Sequence, residues 1–498
     1  MALRTGTRPA TDDRPGRRAL AGAALLACVT VAVLLPFLTA DPPTGLTTSN
    51  APWTDEGFNL ANARNRVLFG RFGTDDVDRS LTNGAYSGLA AVVFAVTGPS
   101  IPAGRAISVA AVAAAVLLAG AGLARPLGTR GALLAAAALG GCQLLLQYGR
   151  LGFTEPLTVA LLTGALVLVA RAPERPSWKA GAGAGVLFAV AISVKAIALV
   201  AAGAALAVLL GMALARRDRA SLRMGLAALA GGAVAAGAWL ALVALPNLDR
   251  LRTGLKIWPE VGYPGNPVAL VRRLGAYLID ADGALGLAGP LLLAAAAGAV
   301  LLAARWRELP PGRRDLLLTG LLWGAGSWGA IAIGDYAPNR YMAPALPGLA
   351  VLAGAGLAWI AGRRAWVAAA LAVVVALPGI AGFVTRAAGA GDQLGPARRT
   401  LTRALPDDAV VYGSYGPTML FGTRARLIQP WAPAGANVDD PATRFGVTHV
   451  LLDETGPVLG PDGLAVVPAT GPPLATVAWG PHTLTLYAAG EQASAVRR

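Results

Sequence analysis

The chain has 498 residues, 55% of them hydrophobic and 14% charged, with a mean hydropathy of +0.57 and a formal net charge of +15. Soluble globular chains carry about a quarter charged residues, so this composition excludes an ordinary soluble enzyme. The positive balance does not point to nucleic acid either. Its arginines cluster in short loops between apolar runs, at Arg17-Arg18, Arg125 to Arg130, Arg171 to Arg175, Arg216 to Arg223, Arg305 to Arg314 and Arg363-Arg364, which is how cytoplasmic loops of membrane proteins are charged.

In chain order, residues 1–18 are a basic segment expected in the cytoplasm. The apolar run "ALAGAALLACVTVAVLLPFLTA" follows. It has the ingredients of a signal peptide, but it is long enough to cross a bilayer and more spans follow, so a retained first helix is expected. Expected spans are 19–39, 103–123, 131–148, 156–171, 178–193, 195–214, 223–245, 285–304, 314–333, 341–361 and 364–384. The run "YSGLAAVVFAVTG" at 86–98 is short for a span. Were it to cross, every later arginine cluster would fall outside the cell, against the positive-inside bias. A juxtamembrane or re-entrant piece is therefore expected there.

That threading puts an outer loop at 40–102, the segment "YGRLGFTEP" at 148–156, the loop 246–284, the segment "GDYAPNRYMAP" at 334–344 and the tail on one extracytoplasmic side. Pro156 suits the first turn of a helix, where its missing N–H is no loss, and it sets Glu155 at that helix's mouth. Residues 386–498 change character, being rich in Pro, Gly and Asp with short β-like runs "AVVYG", "VTHVLLDE" and "LTLYAA". The expected architecture is an all-α polytopic membrane domain over 19–385, with about eleven transmembrane helices and juxtamembrane helices in the first outer loop. A small α/β extracytoplasmic domain over 386–498 completes it. Ala- and Gly-rich helices suit close packing in lipid.

The outer loop opens with adjacent carboxylates, Asp55 and Glu56, in "TDEGFNLANARNRVLFG". This stretch reads as a helix at the outer interface, capped by Thr54, whose acids at the least complement the helix dipole. What favours chemistry is company on the same threaded side: Glu155, Arg150, Lys195 and Arg340. Lys195 breaks the run "VLFAVAISVKAIALVAAG", where a charge requires a turn or a polar cavity. Lys195 and Arg340, with the basic stretch that includes Lys256, are candidates to bind an anionic lipid head. Asp75, Asp76 and Asp78 of "DDVD" offer oxygen ligands that could hold a divalent cation with Asp55. Cys28 and Cys142 lie inside apolar runs, and His449 and His482 lack ligand-like spacing, so no zinc site is expected.

Taken in order, these features are a "DE" loop after one helix, "GRLGFTEP", "SVK" between two helices, "NRYMAPALPG" late, and a soluble tail. They resemble the GT-C superfamily of integral membrane glycosyltransferases, in the branch of protein O-mannosyltransferases and lipid A aminoarabinose transferases. The resemblance implies transfer of one sugar from a polyprenyl-phosphate donor, in the outer leaflet, to a glycan, lipid or protein acceptor outside the cytoplasm. The richness in Ala, Gly and Arg, with Lys only at Lys179, Lys195 and Lys256, points to a bacterial plasma membrane. By position it makes Asp55 and Glu155 the catalytic acids. Glu56, Arg150, Lys195, Lys256, Arg340 and Tyr341 become candidates for substrate binding. Here Glu155 stands where relatives often carry Asp, and Ser193-Val194 stand before Lys195 where a Thr-Lys pair is common.

The chemistry stands apart from the name. An acceptor hydroxyl needs a carboxylate to take its proton, and a leaving lipid phosphate needs fixed Lys or Arg charge. Asp55 is the expected general base, giving inversion at the anomeric carbon. No cofactor is required, with a divalent metal left as an option. No nucleotide-binding pattern is visible in a soluble segment, and no nucleic-acid partner is expected. The competing readings are a transporter or lipid flippase, a lipid-diphosphate glycan polymerase or ligase, and a scaffold with a vestigial site.

Overall fold

The computed structural model describes residues 14–42, 52–75, 79–172, 175–256, 267–279, 283–333, 338–413, 415–429, 441–455, 467, 469–480 and 482–490. In the first half the helices are α1 (Arg14–Leu34), α2 (Pro52–Phe69), α3 (Gly84–Thr97), α4 (Ile101–Leu117), α5 (Ala124–Gly140), α6 (Gln143–Gly149), α7 (Glu155–Val169), α8 (Trp178–Val194), α9 (Ala198–Ala215) and α10 (Arg219–Trp239). They continue as α11 (Leu248–Lys256), α12 (Pro267–Ile279), α13 (Ala284–Ala304), α14 (Pro311–Ile333), α15 (Leu346–Ala361) and α16 (Ala365–Ala388). The rest runs α17 (Leu394–Arg403), β1 (Val410–Tyr412), α18 (Gly416–Met419), β2 (Arg426–Ile428), α19 (Pro441–Phe445), β3 (His449–Asp453), β4 (Ala469–Trp479) and β5 (His482–Ala489).

Among the described residues, seven helices are long and apolar enough to cross a membrane, or eight if α5 and α6, bent by 57° at their break, form one span. The apolar helices α7 and α8, at 15 and 17 residues, fall short of that length. Length and composition in the structure thus give fewer spans than the eleven expected.

Two expected spans are also broken. Residues 131–148 divide between α5 and α6 at Gly141-Cys142. Residues 341–361 begin as a 3-10 turn, Asn339–Ala345, before α15 takes over. Pro344 and Pro347 lack the N–H that an α-helical ladder needs there.

Glycine sets how near the helices approach. A Cβ on Gly185 of α8 would meet the Ala228 carbonyl of α10 at 1.9 Å, and one on Gly298 of α13 would meet the Leu352 carbonyl of α15 at 2.0 Å. These backbones touch directly, the form of cohesion open to helices that share an apolar solvent.

The C-terminal strands make one mixed sheet in the order β2-β1-β3-β5-β4. β1 runs parallel to β2 and β3, while β5 runs antiparallel to β3 and β4. The three β-like runs read from the sequence are β1, β3 and β5. Leu394, Leu401, Val411, Trp479 and Leu486 share the core between α17 and this sheet.

Candidate functional site

Four segments distant in sequence meet at one end of the helical body. α2 begins at Pro52, so Thr54 lies inside it and is not its cap, and Asp55 sits in the first turn. Thr154 precedes α7, whose first residue is Glu155 with Pro156 behind it. Lys195 ends α8 in extended backbone (φ −153°, ψ 111°), and α9 resumes at Ala198. Arg340 lies in the 3-10 turn ahead of α15.

The four charges pair off. Arg340 donates through Nη2 to Asp55 Oδ2, and its Nε lies 3.4 Å from Glu155 Oε1. Lys195 Nζ lies 2.9 Å from the same Glu155 oxygen. Aromatic rings floor the cluster: Lys195 Nζ stands 4.2 Å from the Tyr341 ring centroid, and the Arg340 guanidinium 5.5 Å from that of Phe153. Side-chain exposure is 1% for Glu155 and 5% for Arg340, but 13% for Asp55 and 18% for Lys195. What remains accessible of the cluster is thus at Asp55 and Lys195. Two acids and two bases cancel, leaving a compact polar site whose basic groups suit an anion and whose exposed acid can take a proton.

Glu56 and Arg150, also candidates for substrate contact, are held elsewhere and are fully buried. Arg105 of α4 grips Glu56 through two nitrogens at 2.6 and 2.7 Å, and the Gly152 N–H donates to it at 2.7 Å. Burial pushes the Glu56 carboxyl up, but the Arg105 charge and these hydrogen bonds outweigh it and hold the group below its ordinary value. Arg150 donates to the carbonyls of Ala40 and Asp41 at 3.0 and 2.7 Å. Arg105 also donates to those of Leu38 and Ala40, both at 2.7 Å. Two arginines thus fix the turn that follows α1, and Glu56 is tied to the same strut. Sequence reading passed over Arg105. Its signal was a lone arginine inside the apolar run "IPAGRAISVA".

The expected polar face of α2 is not at a water interface. Asn59, Asn62, Arg64 and Asn65 are buried, while Arg66 is exposed. Asn62 and Asn65 donate to the Phe72 carbonyl and Thr74 Oγ1, both at 3.0 Å, and the C-terminal unit takes up Arg64. Arg64 donates to the carbonyls of Phe421, Thr423 and Ala425 at 2.7, 2.6 and 2.8 Å. A Cβ on Gly57 would lie 2.5 Å from the Pro417 carbonyl carbon. α3 packs under the same assembly, its Phe94 against Phe421 at 5.7 Å, which keeps it on the side of α2. The Asp41 carboxylate caps the start of α17, accepting from the N–H groups of Gln393 and Leu394 at 2.7 and 3.1 Å.

Lys256 closes α11, away from these contacts in sequence, and its side chain lies outside the described residues, as do Asp76 and Asp78. Asp75 accepts from the Gln429 N–H at 2.9 Å. Among the described residues no three of His, Cys, Asp and Glu converge as a metal site.

Residues 86–241 match the family model described as dolichyl-phosphate-mannose-protein mannosyltransferase. No curated protein sequence matches the chain. Among solved structures, ArnT from Cupriavidus metallidurans in the apo state superposes with a TM-score of 0.66 at 15% identity, over 94% of this chain and 98% of that one. The same protein bound to undecaprenyl phosphate gives 0.63 at 16%, over 94% and 99%. The Archaeoglobus fulgidus oligosaccharyltransferase in the apo form gives 0.54 at 13%, over 89% and 70%. By fold over nearly its whole length, and by sequence over residues 86–241, the chain resembles the GT-C superfamily of membrane glycosyltransferases, in the branch of ArnT, protein mannosyltransferases and oligosaccharyltransferases.

Proposed function

We propose that the chain is an inverting glycosyltransferase that moves a monosaccharide, hexose or pentose, from a polyprenyl-phosphate donor to a glycan, lipid or protein acceptor of the cell envelope. The reaction takes place on the extracytoplasmic side of a bacterial plasma membrane. In this reading α7, α8 and α14 cross the membrane along with the longer apolar helices, giving eleven spans, and residues 386–498 form the extracytoplasmic domain.

The observation that carries the reading is the convergence of Asp55, Glu155, Lys195 and Arg340 at one end of the bundle. Lys195 and Arg340 receive the donor phosphate. An acceptor hydroxyl approaches past Asp55, whose Oδ2 takes the proton as the acceptor oxygen bonds to the anomeric carbon. The carbon–oxygen bond to the phosphate breaks on the opposite face, and its electron pair leaves with the lipid phosphate. Lys195 and Arg340 stabilise that growing charge. Glu155, bound to both bases, is a positioning group that holds them in place. Glu56 and Arg105 act at one remove by fixing α2, and Arg150 by fixing the turn that follows α1. The step as written calls for no cofactor.

The test supplies purified protein in lipid with a panel of polyprenyl-phosphate sugars and follows donor consumption, with and without EDTA. Turnover of at least one member, with release of the polyprenyl phosphate, is expected. If no donor is consumed while lipid movement across a liposome is accelerated, the chain is a flippase and the reading fails.

A further inference from the structure

α15 has 16 residues and, at 1.5 Å per residue, separates its ends by about 24 Å. Arg340 stands ahead of one end. At the other, a cavity of about 660 Å³ opens between the start of α5, the ends of α13 and α15, and the start of α14. Its rim carries Arg130, Arg305 and Arg313, with Glu308 as the lining acid and Trp359 at the lip.

The arginines are placed by the backbone. Gly128 has φ +75° and ψ 157°, a region open essentially to glycine alone. It turns the chain so that the carbonyls of Pro126 and Leu127 accept from Arg313 at 3.3 and 2.8 Å. Arg130 donates to the Gly362 carbonyl at 3.1 Å, joining α5 to the end of α15. Glu308 pairs with Arg305. Among the described residues neither Arg130 nor Arg313 has a carboxylate partner, so the lining keeps two uncompensated positive charges. The wall behind them is apolar and includes Leu301. Trp359 is 46% exposed, and Trp306 stacks 5.0 Å from the Arg314 guanidinium. Such aromatic residues mark the level of the lipid headgroups, and the arginine clusters assign this end to the cytoplasm.

We infer that this cavity binds the phosphodiester headgroup of an anionic phospholipid of the inner leaflet, with Arg130 and Arg313 as its phosphate ligands. The combination is basic groups at headgroup depth, between membrane helices, with an apolar wall to receive the glycerol and the first methylenes. The inference does not rest on the transferase reading, since it concerns the opposite end of the bundle and no residue of the reacting cluster.

The experiment uses the full chain in nanodiscs of phosphatidylcholine containing a photoreactive phosphatidylglycerol, with cross-links mapped by peptide mass spectrometry. In the wild type, cross-links are expected in residues 127–131 and 355–362, and a photoreactive phosphatidylcholine should leave these peptides unlabelled. The double substitution Arg130→Gln and Arg313→Gln should reduce labelling there at least about tenfold. Arg130→Lys with Arg313→Lys should restore most of it. Equal labelling by both lipids in the wild type overturns the proposal without recourse to a variant. Loss of the label on adding inorganic phosphate would overturn it in favour of a soluble phosphate ligand.

Discussion

A carboxylate held by a guanidinium shares that group's N–H donors with any phosphate that enters beside it. Asp55 is bound in this way to Arg340. A phosphodiester entering beside Arg340 and Lys195 competes for those N–H donors, so in the proposed reaction donor binding and base activation are one event. Asp55→Asn keeps the shape and removes the basicity. Donor turnover should fall at least roughly 100-fold with donor binding retained, as measured by steady-state kinetics and filter binding. Near-wild-type turnover would take Asp55 out of the role.

The buried Glu56 gives a residue-scale prediction with a sign. Its carboxyl is held below the ordinary value of 4.5. The native state therefore favours the ionised form, and that stabilisation is complete above pH 4.5 and fades as pH falls further. Glu56→Gln leaves Arg105 buried without its counter-ion, at about 3–5 kcal/mol near neutral pH. Thermal unfolding should show the gap from wild type narrowing as pH drops below 4.5. A gap constant with pH would mean that the Glu56–Arg105 pair is not formed. These charges were legible in the sequence because each breaks an apolar context: Lys195 inside a run, Glu155 before a proline, Asp55 beside a span. Which charge partners which was not legible. Glu56 and Asp55 are neighbours in sequence yet face different arginines, and that choice is made by how α2 is rotated against α4 and the turn ahead of α15.

At the scale of the element, α2 is where sequence reading and structure part most. Its mixed polar and apolar surface reads as an interfacial helix, and a helix polar on most sides has a second use, to bridge two bodies. The second body is the C-terminal unit, whose backbone carbonyls take up Arg64. No local pattern announces an arginine that will bind carbonyls more than 350 residues away. Gly57 permits the contact, and Gly57→Ala would press a methyl into the Pro417-Thr418 backbone. The expected result is a loss of about 1–3 kcal/mol, seen as a lowered melting temperature and faster proteolysis of the tail, with the helical content of the membrane part unchanged. Unaltered proteolysis would show that the helix is not clamped at that point. β2 and β4 went unread for a different reason. β2 has three residues, and "ATGPPLATVAW" carries two prolines that speak against a strand, which are tolerated because β4 is at the sheet edge.

For the whole molecule, the membrane body and the C-terminal sheet are packed against each other through α2 and the turn after α1. A chain ending after α16 would retain its apolar helices and should still insert, yet α2 would lose the partners of Arg64 and Asp41 the helix it caps. Such a truncation is expected to be inactive with every donor, with topology probes in the membrane part unchanged. Retained turnover would make the tail an accessory. The membrane class and the change to a strand-bearing unit in the C-terminal part were readable from composition and pattern. The number of spans was less so, since α7 and α8 are short and α5–α6 is bent.

The clamp on α2 also bears on how the protein is made. Arg64 and Asp41 emerge from the ribosome early, while Phe421, Thr423, Ala425 and the start of α17 emerge near the end. Through most of synthesis the carbonyl partners of Arg64 are therefore not yet available to α2. The contacts of Arg64 can form only once the last quarter of the chain has been translated, whereas those of Glu56 with Arg105 and Gly152 can form far earlier, so α2 is secured in two stages.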